Sequence, residues 1–311
     1  MPSNISPALA GLIESMVAGI DAMPEQIPIL SDLDRAAVAE VRRVWADIDA
    51  EIRASVLSQA IELSIEDVSV DFTALGQVGL DDPDPEIRRL AVEAVWESED
   101  SLLGERLLSM LAAEADMGVR IALAASLKSF VLLHEFDQID KRLGDSIVTA
   151  LISIARDATE PPELRAAAIE SLGARSLPEV TRLIEGAYDD EDARMQLAAI
   201  RAMGSSADER WVEYLTERMQ SADPDFREEA AIAAGAIASE DTIEGLAGLL
   251  QDEVPEVVIA AIGSLGEIGG DEALHLLEEM RPDAPPEFEE ALASALGAIQ
   301  ELSFNTGGGS R

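Results

Sequence analysis

Glycine stands at Gly173, Gly204, Gly235, Gly266 and Gly297, five times at one interval of 31 residues, and the flanking sequence moves with it. Eleven positions before these glycines come Pro162, Ala193, Pro224, Pro255 and Pro286, followed two residues on by Leu164, Met195, Phe226, Val257 and Phe288. Five positions before them stand Ala168, Ala199, Ala230, Ala261 and Leu292, and eleven beyond the first four stand Ile184, Leu215, Leu246 and Leu277. A period of this length means that each unit is one supersecondary element that cannot bury its own apolar face and must stack on its neighbours.

The unit from Pro255 to Leu277 shows the plan. Proline suits the first helical position, where its missing N–H costs nothing, and Val258, Ala261, Ile262, Leu265 and Ile268 then fall on one face by steps of three and four. Gly269 and Gly270 suit a helix end, since glycine tolerates the left-handed conformation. Ala273, Leu274, Leu277 and Met280 give the next helix its apolar face. Each repeat therefore reads as two antiparallel helices. The Gly266-type position falls inside the proline-led helix, the second of each repeat, where an interior glycine costs up to about 1 kcal/mol relative to alanine, so its regular return predicts the close approach of another helix.

Composition agrees with an all-α chain: 48% of the 311 residues are hydrophobic and only 4% aromatic, a core of Ala, Leu, Ile and Val. With no cysteine, disulfides, thiolate metal sites and cysteine nucleophiles are excluded. Met1–Ile20 lacks a basic leader, and no uncharged apolar run of membrane-spanning length is evident, so a cytoplasmic protein is expected. Asp and Glu number 62 against 22 basic residues, a formal charge of −40. Nucleic acid and anionic membranes are poor partners for such a surface. The excess acid fits either a solvated face adapted to high salt or a surface that attracts a basic partner.

Upstream the period loosens. Asp82-Pro83-Asp84-Pro85-Glu86-Ile87-Arg88 introduces a helix, and another begins near Met117 with Arg120. Arg120 and Arg165 are 45 residues apart, 14 more than one period, which places an insertion around Val131–Leu143. Residues 33–48 and 49–63 read as a divergent first pair. The expected organisation is one elongated domain with a capping segment at 1–33, repeats over 34–302 and a flexible tail at 303–311.

The stretches at 82–88, 162–173 and 260–269 (Ala-Ala-Ile-Gly-Ser-Leu-Gly-Glu-Ile-Gly) give the chain its resemblance to HEAT-repeat proteins, particularly the bacterial and archaeal type related to phycobilisome-lyase HEAT-like repeats. The resemblance implies an α-α superhelix, a HEAT-repeat solenoid of about seven to eight helical pairs, with a concave face that holds a protein or peptide. It also implies a ladder of ion pairs between turn aspartates and arginines early in the second helices. Arg88, Arg120, Arg165 and Arg227 match that place and are read as structural, whereas Gln196, Val258 and Glu289 interrupt it toward the C-terminus.

The chemistry in the sequence is sparse. A HEAT-fold di-iron hydroxylase needs several His-Glu pairs, and the two histidines here supply one, His134-Glu135. His134 is expected to be solvated or locally hydrogen-bonded, and His275 to lie at the edge of the core. The run Asp189–Asp192 lacks the spacing of a calcium loop and reads as a solvated turn. No cofactor motif is present. A phycobilin lyase-like activity is the enzymatic alternative that the resemblance brings, and the leading expectation is a noncatalytic scaffold. Trp45, Trp96, Trp211 and Tyr214, where exposed, are candidate partner contacts, against the plainer reading that they fill gaps between helices.

Overall fold

A computed structural model describes residues 5–96 and 98–307, all of it helix, turn and connection, with no strand among the described residues. The chain divides into two compact units, Met1–Ile154 and Ala155–Arg311, where the sequence reading expected one domain.

In the first unit α1 (Pro7–Val17) precedes three helical pairs: α2 (Arg35–Val44) with α3 (Ala50–Glu66), α4 (Thr73–Gly79) with α5 (Pro85–Glu93), and α6 (Ser101–Ala113) with α7 (Met117–Ser126). The inserted residues resolve into a short helix, α8 (Lys128–Glu135), and a turn that opens α9 (Lys141–Arg156). Met117–Glu135 is long and apolar enough, by length and composition, to cross a membrane, and half of it is buried. Its run is interrupted at Leu127, and Val119, Leu123, Leu127, Phe130 and Val131 face the core.

In the second unit α10 (Pro162–Leu172) is followed by four pairs: α11 (Pro178–Tyr188) with α12 (Ala193–Ser206), α13 (Val212–Arg218) with α14 (Pro224–Ile237), α15 (Ile243–Leu249) with α16 (Pro255–Ile268), and α17 (Gly270–Met280) with α18 (Glu289–Gly307). The described residues thus hold seven such pairs, three in the first unit and four in the second, and the fold is an all-α, α-α superhelix. The helix α18 runs on through 303–307, positions expected in the tail, and 308–311 lie outside the described residues.

Helix starts explain part of the acid excess. Asp34, Asp84, Asp100, Asp116, Asp192 and Asp223 each accept a hydrogen bond from a first-turn N–H of α2, α5, α6, α7, α12 and α14. Such caps contribute typically about 1 kcal/mol each. Prolines open α5, α10, α14 and α16 as the pattern requires, whereas Pro286 begins a 3-10 turn and α18 starts three residues later. Gly269 and Gly270, at φ +70° and +83°, make the reversal between α16 and α17.

The repeating glycines sit where consecutive second helices touch. An added Cβ would lie 2.8 Å from Ala202 Cα at Gly173, 2.9 Å from Ala233 Cα at Gly204, 2.9 Å from Ser264 Cα at Gly235 and 2.7 Å from Ala295 Cα at Gly266. Each contact is with the residue 29 positions on, so one glycine per repeat lets α10, α12, α14, α16 and α18 pack in succession at near backbone distance. Gly297 meets nothing within 4 Å, since no later helix follows α18 among the described residues.

Candidate interaction surface

The second helices form one layer in each unit, α3, α5 and α7 in the first and α10, α12, α14, α16 and α18 in the second. First helices cover one side of that layer: α4 packs on α5, α6 on α7, α11 on α12, α13 on α14, α15 on α16 and α17 on α18. In the second unit the opposite side stays open, as the exposed series Arg201, Ile232, Gly263 and Ser294 at 31-residue spacing shows.

In the second unit this open face mixes exposed Ile232 and Ile259 with charged groups whose arginines are internally paired. Arg201 Nε donates to Glu229 Oε1 at 2.8 Å and its Nη1 lies 3.7 Å from Glu170. Arg194 spans Asp192, at 2.6 Å, and Glu163 of the preceding second helix. The Arg194 hydrogen bond holds the Asp192 carboxyl down at about 2. Burial pushes the Glu228 carboxyl the other way, and the charges of Glu229, Glu256 and Asp225 add to it, against an opposing pull from Arg201. A carboxyl raised in the folded state favours folding when protonated, so its contribution is complete below the unfolded pKa and is lost as pH rises through the folded value. Glu228→Gln should therefore raise the melting temperature at pH 7, and its advantage over the parent should close near pH 4, as thermal denaturation at the two pH values will register.

The first unit's open face is apolar. Ile61 and Ile65 of α3, Val92 of α5, Trp96 just beyond it, and Ile121 and Ala125 of α7 line a groove of about 680 Å³. Trp96 is 48% exposed, Ile65 70%, and Val68, past the end of α3, 92%. Arg89 and Glu93 stand at its side. The guanidinium of Arg89 is held by Glu86, at 2.6 Å, and by Glu93, which raises its pKa.

Of the four aromatic candidates only Trp96 is exposed. Trp45 is buried and donates through Nε1 to Asp82 Oδ2 at 2.7 Å. Trp211 is buried with Nε1 on Ser206 Oγ at 3.0 Å. Tyr214 is half-buried, its ring edge-on to Tyr188 at 5.1 Å and to Trp211 at 5.4 Å between centroids. Trp45 and Trp211 fill space between helices and are removed from the contact set, because a ring enclosed on all sides has no surface left for a partner.

Two of the arginines at the start of second helices, Arg88 and Arg227, bind their own turn and the next one. Arg88 donates to both carboxylate oxygens of Glu114 at 2.9 Å and to Asp82 O at 2.9 Å. Arg227 repeats the arrangement with Asp252, at 2.7 and 2.8 Å, and Ser221 O, at 3.0 Å. Arg165 donates to Ala155 O at 3.3 Å, and Arg120 is half-buried and also partnered. Where Gln196 interrupts the series, Arg218 arrives from α13: it donates to Tyr188 O at 3.1 Å, reaches Gln196 Oε1 at 3.5 Å and stacks 4.2 Å from the Tyr188 ring centroid. Sequence reasoning missed Arg218. Its signal was a basic residue 22 positions beyond the glutamine, within the next repeat.

His134 is buried, with Nε2 3.0 Å from Asp145 Oδ1, and Lys141 Nζ meets the same carboxylate at 2.8 Å. His275, expected at the edge of the core, is exposed, because the α17 face toward the core is made by Ala273 and Leu277. Asp189–Asp192 form the turn before α12, with Asp190 Oδ1 accepting from Asp192 N at 2.9 Å. Among the described residues no group of three or more His, Asp or Glu is placed to hold a metal ion.

Comparison with known proteins agrees with the helical pairs. The model of HEAT repeats matches residues 148–222 and 212–297. No curated protein sequence matches the chain. Among solved structures, the complex of CpcE and CpcF of phycocyanin lyase from Nostoc sp. PCC7120 is 19% identical with a TM-score of 0.56, over 84% of this chain and 95% of that one. A mutant of Kap121p is 14% identical with a TM-score of 0.51, over 96% of this chain and 39% of its own. At these identities the likeness is one of fold. With the helical pairs, the glycine row between second helices and the matched repeats in place, the chain carries HEAT repeats over residues 148–297 and resembles the phycobilisome lyases in fold.

Proposed function

We propose that the protein is a noncatalytic scaffold that binds a protein partner through the open side of its second-helix layer. The supporting observation is the Trp96 groove: soluble proteins rarely leave a continuous apolar surface uncovered except where something docks. Fold alone does not carry a function, and the reading rests on this surface. The likeness to the CpcE and CpcF complex and to Kap121p is compatible with protein partners.

Capture from native lysate on the immobilised chain, at low and at high salt, tests the reading. A reproducible partner competed away by free chain is expected, and the purified protein should show neither stoichiometric metal by elemental analysis nor a visible absorption band. Failure to recover any partner under both conditions, or turnover accompanying a bound metal or pigment, would overturn it.

A further inference from the structure

The open groove of the first unit identifies its occupant by charge as well as by shape. Its floor is aliphatic, Ile61, Ile65, Val92 and Ile121, with the Trp96 indole at one end. Arg89, the cation beside it, is neutralised by Glu86 and Glu93. On α3, Glu62 and Glu66 are exposed next to Ile61 and Ile65, and Asp67 follows where the helix presents its last carbonyls. The negative end of a helix adds to the field of those carboxylates. Apolar contact is therefore offered along the centre, with negative potential along the α3 side.

We infer that this groove receives an amphipathic helical segment of a partner protein, apolar on the side that meets Trp96, Ile65 and Ile121 and flanked by lysines or arginines that face Glu62 and Glu66. The inference rests on the scaffold reading and adds the partner's chemistry to it. A helix laid in a groove between helices buries residues at successive turns, which suits a long, open, apolar channel. Charge rules against the other occupants. A second copy of this chain brings another −40 to the encounter, and an anionic lipid surface is repelled in the same way. A basic segment is instead drawn in by the protein's whole field, which raises the rate of encounter more than the final affinity.

The test uses the full chain and three synthetic peptides of about four helical turns each. The first has leucine on one face and lysine on the other, the second replaces lysine by glutamate, and the third keeps lysine but replaces leucine by glutamine. Because Trp45 and Trp211 are buried and Trp96 is exposed, a blue shift of tryptophan emission on binding reports Trp96. The leucine–lysine peptide should bind with that shift, and the other two at least about tenfold more weakly, as expected when either the apolar anchor or the charge match is removed. Trp96→Ala should weaken the first peptide about tenfold or more, with an unchanged melting temperature, and Trp96→Phe should retain most of the affinity.

Equal affinity for the glutamate peptide would overturn the charge assignment, and full affinity in Trp96→Ala would overturn the site. A dimer in sedimentation that Trp96→Ala dissociates would give the groove to a second copy. If the peptides fail while a cellular partner crosslinks elsewhere on the chain, this inference falls and the scaffold reading stands. Absence of any cellular partner removes both.

Discussion

Gly266→Val should destabilise the second unit by about 3 kcal/mol or more, while Gly297→Ala, one repeat on, should leave it unchanged or stabilise it by about 0.5–1 kcal/mol. The two glycines occupy the same place in the repeat and differ only in what stands opposite. At Gly266 even a Cβ would lie 2.7 Å from both Cα and Cβ of Ala295, so one methyl must push α16 away from α18. Valine adds two branches to that conflict and loses rotamer freedom in a helix. At Gly297 the space is open, and alanine removes the conformational entropy that glycine loses on folding. Gly266→Ala should fall between, since its helix-propensity gain of up to about 1 kcal/mol is set against overpacking of about 1–3 kcal/mol. Adding Ala295→Gly should recover only part of the loss, because the Ala295 Cα remains too close. Urea denaturation followed by circular dichroism gives the differences. Similar costs at positions 266 and 297 would mean that the glycine row marks sequence ancestry rather than helix contact.

That contrast also shows how far the sequence could be read. The 31-residue spacing announced paired helices and a close approach, met at four of the five glycines and absent at Gly297, because both follow from local period and from the one residue without a Cβ. What the period could not say is which surfaces remain uncovered. Trp45, Trp96 and Trp211 are equivalent candidates on paper, yet two are enclosed by neighbours and one is left at a groove whose walls come from three helices more than 60 residues apart in chain order at their extremes, Ile61 to Ala125. His275 failed for a related reason: placing it at the core edge required knowing the rotation of α17, which Ala273 and Leu277 decide by packing. The inserted 14 residues were visible as a spacing error, whereas their resolution into α8 and a turn depends on Phe130, Val131 and Leu133 finding buried places. The ion pairs divide in the same way. Arg88 and Arg227 stood at a repeating position, while Arg218 replaces a missing partner from another helix, a substitution visible only in three dimensions.

The pair with no sequence warning at all, Arg53 and Asp82, is where a single substitution should cost the first unit most. Asp82 is buried and accepts on Oδ2 from Trp45 Nε1 at 2.7 Å and from Arg53 Nη1, and on Oδ1 from Asp84 N at 2.9 Å. One carboxylate thus fastens the end of α2, the body of α3 and the turn that starts α5. The Arg53 side chain is 9% exposed, and its Nε makes no hydrogen bond among the described residues, so the cation depends on this carboxylate. Removing one partner of a buried pair leaves an uncompensated charge, at a cost of about 3–5 kcal/mol, whereas removing both is often close to neutral. Asp82→Ala should accordingly lose about 3–5 kcal/mol, and Arg53→Met in the Asp82→Ala background should restore a large part of it. Recovery will be incomplete, because Trp45 Nε1 stays without its acceptor and an unsatisfied buried donor costs about 1–3 kcal/mol. A double-mutant cycle by chemical denaturation separates the two contributions. Should Asp82→Ala cost less than about 1 kcal/mol, the network would be a by-product of packing, and the junction of the first two helical pairs would be held by apolar contact alone.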